Sequence, residues 1–179
     1  MRSPLSTAFF SVVVNAARPA QPRHGDPSAP IHSVPTLDLR RYAGLWYEIA
    51  RYPNRFERDC YAATAEYRPR ADGRISVVNR CRKGSLGGPE DGVTGTAKVV
   101  APGQLKVGFV RFLPFLRGDY WVLDVTPDYT LAVVGEPRRK FGWILARDPH
   151  PDAAAMESAF AVLRRNGYDP ALIERVVQP

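Results

Sequence analysis

The stretch YAGLWYEIARYPNRFERDC, residues 42–60, decides the fold predicted for the rest of the chain. A glycine and a tryptophan open it, the run LWYEIAR follows, and a loop of basic and aromatic residues leads to Cys60. Apolar and polar residues that alternate with period two are typical of a β-strand with one buried face. We therefore predict that residues 45–51 form a strand whose far end carries an exposed loop.

Seven similar runs follow at intervals of about a dozen residues, the spacing of an antiparallel sandwich or barrel. Short turns such as Asp72-Gly73 and Pro102-Gly103 alternate with longer loops, so the two kinds belong to opposite ends of an up-and-down sheet. The pattern predicts an all-β fold, an eight-stranded up-and-down antiparallel β-barrel with room inside for side chains or one small ligand. The predicted strands are 45–51, 61–68, 74–81, 93–100, 104–110, 119–125, 130–136 and 141–147.

One helix is predicted, in the run HPDAAAMESAFAVLRRNGYD at residues 150–169. Met156, Phe160 and Leu163 recur at helical spacing, Pro151 stands near the start and Gly167 follows the end. Such an apolar stripe indicates a C-terminal α-helix packed on the outside of the barrel.

Length and composition indicate one globular domain. The chain has 179 residues, a formal net charge of +7, and 45% apolar and 24% charged residues. Arg2, a short apolar segment and small residues make 1–17 a candidate signal peptide, with a disordered tail or a mis-assigned start as alternatives. Residues 18–35, rich in Pro and Ala, are predicted to be a flexible linker, and 36–179 to be the folded domain.

Three motifs in this order resemble those of the lipocalins, in particular the bacterial outer-membrane lipocalins and their apolipoprotein D-like relatives. They are Gly44-Leu45-Trp46, the run TPDYTLAVVGEP at 126–137, and Arg147 at the end of the eighth predicted strand. The resemblance extends from about Leu37 to Gln178. It implies that Gly44, Trp46 and Arg147 are structural, with the arginine lying across the tryptophan at the closed end of the barrel.

The resemblance, together with strand alternation, also implies which residues face inward. Such a wall is mostly apolar with a few polar groups, as in small-molecule pockets; the alternative is that these side chains simply fill the barrel. Leu145 and Asp124 are expected to face inward as well. The predicted lining is Glu48, Ala50, Ala63, Ala65, Tyr67, Val77, Asn79, Val107, Phe109, Tyr120, Val122, Phe141 and Trp143.

The lipocalin resemblance implies a protein that binds, stores or transports fatty acids, lysophospholipids or similar lipids, without a cofactor and as a monomer or weak homodimer. The competing hypothesis is a cavity enzyme, an isomerase or hydrolase acting on a lipid or isoprenoid through Glu48, Asp124 or Tyr120. Nucleic-acid binding has only the net charge in its favour. No metal site is predicted, because His24, His32 and His150 all lie outside the predicted strands.

Cys60 and Cys81 flank the hairpin of the second and third predicted strands. Counted from the Asp72-Gly73 turn, they lie within about two residues of being opposite, which permits a disulfide. A disulfide indicates an oxidising compartment such as the periplasm; the alternative is a free nucleophilic thiol. Neither cysteine is near the N-terminus, so no lipid-anchor cysteine is predicted on this chain, although an association with the outer membrane is compatible with the resemblance.

The loops at the open end combine apolar side chains with many Arg and Lys residues. Apolar tips ringed by positive charge suit the surface of an anionic membrane, and the alternative is a solvated basic rim. The predicted rim contacts are Tyr52, Phe56, Arg111, Phe112, Phe115 and Leu116.

Overall fold

The computed structural model describes residues 25, 26, 28–109 and 117–179. The candidate signal peptide lies outside the described residues, as do Arg111, Phe112, Phe115 and Leu116 at the predicted rim. The elements, in chain order, are α1 (Leu39–Tyr42), β1 (Gly44–Arg51), β2 (Cys60–Pro69), β3 (Ile75–Lys83), β4 (Glu90–Ala101), β5 (Gln104–Phe109), β6 (Arg117–Val125), β7 (Leu131–Gly135), β8 (Gly142–Ala146), α2 (Ala153–Arg165), a 3-10 turn (Pro170–Leu172) and β9 (Glu174–Arg175).

The strands form a closed antiparallel barrel. Each of β2 to β8 pairs with its sequence neighbour, and β1 closes the sheet by pairing with both β8 and β2. Closure gives each of the eight barrel strands a neighbour on both sides, so most of their backbone groups find partners within the sheet. The predicted eight-stranded up-and-down barrel is confirmed.

Helix α2 packs on the outside of the barrel, as predicted. Asp152 caps its first turn by accepting a hydrogen bond from the Ala155 N–H at 2.7 Å. Its apolar stripe, with Met156 and Leu163 at most 2% exposed, covers the outer faces of β1 and β7. The molecule therefore has two apolar clusters, one inside the barrel and one between barrel and helix.

Two short elements were not predicted. Helix α1 is a single turn that Asp38 caps through the N–H groups of Arg40 and Arg41, and it brings Tyr42 beneath the barrel. Strand β9 follows the 3-10 turn and pairs with the second half of β1. Neither element has enough residues to show a hydrophobic period, so pattern reading could not find them.

The described part of the predicted linker lies against the barrel. The Val34 N–H donates to the Val122 carbonyl at 2.8 Å, and the His32 N–H donates to the side chain of Asn166 at 2.9 Å. Val34 and Leu37 also pack against the inner apolar cluster. This segment thus crosses the closed end of the barrel before α1 begins, and its polar composition did not indicate that contact.

A β-bulge in β1 corrects two expectations. The register shifts between Glu48 and Ala50, so Ala50 pairs with Ile144 and lies on the outer face beneath α2 instead of lining the interior. Tyr52, expected at the rim, is fully buried in the same outer cluster, where its hydroxyl donates to the carbonyl of Asp169 at 2.5 Å. A bulge inserts one residue and thereby moves the side chains that follow to the other face.

A second bulge, in β6 between Val122 and Asp124, corrects the orientation expected for Asp124. Its carboxylate lies outside the barrel and accepts a hydrogen bond from Arg165 of α2 at 3.0 Å. Val122 keeps its predicted inward position and is fully buried.

The C-terminal segment fills a seam between β1 and β2. Direct pairing of these strands stops at Tyr47 and Thr64. Beyond that point the Val176 N–H donates to the Ile49 carbonyl at 2.9 Å, and the Ala62 N–H donates to the Val177 carbonyl at 2.8 Å. Residues 174–177 therefore bridge the two strands where the strands themselves separate.

Candidate functional site: the barrel interior

The closed end of the interior is built on Trp46 and Arg147. Trp46 is fully buried, and its indole N–H donates to the Tyr42 carbonyl at 2.8 Å. The Arg147 guanidinium lies 3.8 Å from the centre of the Trp46 ring and donates to the carbonyls of Leu45, Arg41, Tyr42 and Ala43. Arg147 thus joins the end of β8 to the start of β1.

Above this floor, three tyrosine hydroxyls meet inside the barrel. The Tyr120 hydroxyl lies 2.7 Å from that of Tyr42 and 2.8 Å from that of Tyr67. Burial raises the pKa of all three phenols, so they remain neutral across the physiological range. Each of the three hydroxyls has a hydrogen-bond partner within the cluster.

Most of the predicted lining does face inward. Phe141 stacks on Trp143 with ring centroids 6.0 Å apart, near the open end. Ala63 is buried beside the cysteines, on the same side of the wall. The inward residues that belong to the inner apolar cluster or pack against it are Ala65, Tyr67, Val77, Val107, Phe109, Tyr120, Val122, Trp143 and Leu145.

A polar cluster stands in this apolar wall near the open end. Glu48 is 6% exposed, and its carboxylate accepts a hydrogen bond from Arg51 at 2.9 Å. Arg51 also donates to the Cys60 carbonyl at 3.1 Å. From the loop between β1 and β2, the Glu57 carboxylate accepts hydrogen bonds from Asn54 and, at 3.2 Å, from the Trp143 indole.

Sequence reasoning missed Arg51 and Glu57 as interior groups. From its position at the end of the first predicted strand, Arg51 was expected among the basic residues of the mouth, but the bulge in β1 turns its side chain inward beside Trp143, with which it pairs. Glu57 lies in a loop whose path no local pattern specifies. The charges in the loop are visible in the sequence, yet nothing indicates which of them folds over the barrel.

Burial raises the pKa of Glu48 well above its ordinary value of 4.5; the nearby Glu57 carboxyl raises it further, and Arg51 opposes the shift. A raised pKa means that the folded state holds this proton more tightly than the unfolded chain does. The free energy of folding that this proton contributes is fully present below pH 4.5, and it is lost as the pH rises through the folded-state pKa of Glu48.

The variant Glu48→Gln, which cannot titrate, should therefore gain stability relative to wild type as the pH rises above 4.5. Each unit by which folding raises the pKa contributes about 1.4 kcal/mol to this difference. Urea unfolding of both proteins between pH 4 and pH 8, read by circular dichroism, measures it. If the stability of the two proteins depends on pH in the same way, Arg51 offsets the effect of burial. If the wild type gains stability over the variant as the pH rises, Arg51 outweighs burial.

A disulfide joins Cys60 and Cys81 at the upper part of the barrel wall. Their Cα atoms are 5.4 Å apart, and both residues pack against Ala63 and Val176. The predicted disulfide is confirmed, and it excludes a free nucleophilic thiol at either position. The bond also connects the wall to the C-terminal segment through Val176.

Phe56 and Leu86 are exposed apolar residues at the open end. Phe56, in the loop between β1 and β2, is 51% exposed, and the Arg55 guanidinium lies 4.8 Å from its ring centre. Leu86, between β3 and β4, is 42% exposed and was not singled out from the sequence. Within the described ranges, no group of three or more His, Cys, Asp or Glu side chains is arranged to hold a metal ion.

A sequence profile of the lipocalin-like domain matches residues 37–178. The chain belongs to the lipocalin family. Among its relatives, the outer membrane lipoprotein Blc of Escherichia coli is 35% identical over 176 residues, covering 97% of this lipocalin and 94% of the relative. The temperature-induced lipocalin-1 of Arabidopsis thaliana is 34% identical over 154 residues, covering 81% of each chain. The resemblance to lipocalins, including an outer-membrane member, is confirmed.

A solved structure gives the same fold. Insecticyanin from the tobacco hornworm Manduca sexta superimposes on this lipocalin with a TM-score of 0.66, covering 84% of this chain and 86% of the other. The two sequences are 20% identical, so the likeness concerns the fold alone.

Proposed function

We propose that this lipocalin binds and carries small hydrophobic ligands, such as fatty acids, lysophospholipids or similar lipids, inside its barrel. The observation that carries the proposal is a closed barrel whose inner wall is mostly apolar, with a few polar groups such as the tyrosine hydroxyls and the cluster around Glu48. Each methylene group that a ligand moves out of water contributes about 0.8 kcal/mol, so an acyl chain gains most of its affinity from such a wall. Family membership supports the same function.

The proposal includes no chemistry on the ligand. Of the groups that the enzyme hypothesis named, Asp124 lies outside the barrel, where it is paired with Arg165, and Glu48 is engaged with Arg51. Tyr120 is engaged with two other tyrosines and has a raised pKa, so it is a poor general base. We therefore assign the interior to binding alone.

Native mass spectrometry of the lipocalin purified from cells tests this function. We expect a bound lipid that is released unchanged on denaturation, and that Ala65→Trp, which fills the inner wall, removes. Thr64→Trp is the matched control. Thr64 precedes Ala65 in β2, and its side chain lies on the outer face of the sheet with those of its strand partners Tyr47 and Arg80. A chemically altered product that accumulates with time, or equal ligand loading in both variants, would contradict binding in the barrel.

We propose that the lipocalin works at the bacterial envelope, in the periplasm and in association with the outer membrane. The name of the Escherichia coli relative describes an outer membrane lipoprotein, and a disulfide suits an oxidising compartment. Among the residues that the structure describes, no helix combines the length and apolar character needed to span a bilayer.

We further propose that the open end docks on anionic membrane surfaces through Phe56 and Leu86, together with the predicted rim residues outside the described ranges. The double variant Phe56→Ser with Leu86→Ser should bind phosphatidylglycerol vesicles at least tenfold more weakly, since burying one such side chain contributes about 1.5 to 3 kcal/mol. Vesicle flotation measures binding.

The control for docking is a double variant at the closed end, Val99→Ser with Val100→Ser, because these residues are also exposed, at 36% and 52%, near the β4–β5 turn. It should bind like wild type. Equal recovery on neutral and anionic vesicles, or equal loss in both double variants, would contradict docking by the open end.

A further inference from the structure

The inner wall formed by β1, β2 and β3 contains a polar niche. Trp46 pairs with Ala65, and Ala65 pairs with Asn79, so these side chains lie side by side on the inner face. Glu48 lies two residues beyond Trp46 on β1, and the small residues Ala63 and Ala65 lie on β2, between Glu48 and Asn79 along the sheet. These hydrogen-bonding side chains on β1 and β3, with the two alanines on the strand between them, make up the niche.

The Asn79 carboxamide has an acceptor atom that forms no hydrogen bond among the described residues. This atom, Oδ1, is buried. Leaving a buried acceptor unpaired is unfavourable, so a ligand that supplies a donor regains this energy. Gln178 has a second unpaired buried oxygen, and its side-chain N–H groups donate to the carbonyls of Glu48 and Ala63 in the adjoining seam.

The charges around the niche disfavour an anionic head group. Two carboxyl groups, Glu48 and Glu57, stand at this level of the barrel. The nearby cation, Arg51, already donates to Glu48 and to the Cys60 carbonyl. A ligand carboxylate would have to compete with Glu48 for Arg51, and it would offer no donor to Asn79.

We propose that Asn79 and Glu48 form a head-group site that selects amphiphiles whose heads donate hydrogen bonds, such as hydroxyl or amide groups, over carboxylates of the same chain length. This inference rests on the proposed ligand binding in the barrel and specifies its substrate class. Asn79 is the specificity-determining residue, because its oxygen is the unpaired acceptor that such a head satisfies.

Decanamide and decanoate test the selectivity, because they differ only in an NH2 group in place of a carboxylate oxygen. Each competes at pH 8 with N-phenyl-1-naphthylamine, a neutral fluorescent probe of apolar cavities. We expect decanamide to bind about tenfold more tightly than decanoate, the effect of one hydrogen bond to a buried group. In Asn79→Leu the preference for decanamide should shrink by at least threefold, to what the carboxyl groups alone impose, and binding of the probe itself should persist.

Thr94→Val is the control, because Thr94 lies on the neighbouring strand β4 and is exposed; it should keep the wild-type preference. Decanoate binding as tightly as decanamide to wild type would overturn the head-group site, whether or not any variant folds. A preference of wild-type size in Asn79→Leu would overturn the role of Asn79. Failure of the probe and both amphiphiles to bind would instead refute ligand binding in the barrel.

Discussion

Replacement of Trp46 by alanine is expected to lower the free energy of unfolding by about 3 to 5 kcal/mol, the usual loss when a large buried aromatic side chain is truncated. Trp46 is fully buried at the closed end, so its removal leaves a cavity beneath the tyrosine cluster. The substitution also abolishes the indole hydrogen bond to the Tyr42 carbonyl and the contact with the Arg147 guanidinium. Chemical denaturation followed by circular dichroism measures the loss.

Leu45→Ala provides the control, because Leu45 precedes Trp46 in β1 but is 43% exposed. Its effect should stay within about 0.5 kcal/mol. A double-mutant cycle of Trp46→Phe with Arg147→Met should give a coupling of about 0.5 to 2 kcal/mol for the cation–π contact. Equal losses for Leu45→Ala and Trp46→Ala would contradict a structural role for the tryptophan.

Removal of the disulfide is expected to have the second largest effect. The double variant Cys60→Ser with Cys81→Ser should lose about 3 kcal/mol, because the bond restricts a long loop in the unfolded chain. The loss should be accompanied by weaker protection of the C-terminal segment, since Val176 packs directly on the cysteines. Thermal unfolding and amide hydrogen exchange report the two effects.

Dithiothreitol supplies the control for the disulfide. It should lower the stability of the wild type to that of the double variant and leave the double variant unchanged. If reduction affects both proteins alike, or if the double variant is as stable as the oxidised wild type, the bond does not stabilise the fold.

The strands and the closed end could be predicted from sequence because their signals are local and repeated. Alternation marks each strand, and Gly44, Trp46 and Arg147 stand in the order that the lipocalin motif requires. The disulfide was predictable for the same reason, since hairpin register follows from the turn at Asp72-Gly73.

The inner wall could be predicted only where alternation is unbroken. Val77 and Val107 face inward as expected, because no bulge precedes them in β3 or β5. Ala50 and Asp124 do not, because each follows a bulge that adds one residue without a sequence signature. The position of Glu57 depends on the path of a loop, which is fixed by contacts with Trp143 that arise only in the folded barrel.

The seam between β1 and β2 determines when the barrel can close during folding. The upper half of β1 obtains its second partner from residues 174–177, which follow every other strand and α2 in the chain. Contacts between residues so distant in sequence form slowly, because a long loop must close before they contribute. During synthesis or translocation, the barrel thus remains incompletely closed until residues 174–177 emerge, and a nascent chain that lacks them would expose strand edges that are prone to aggregate.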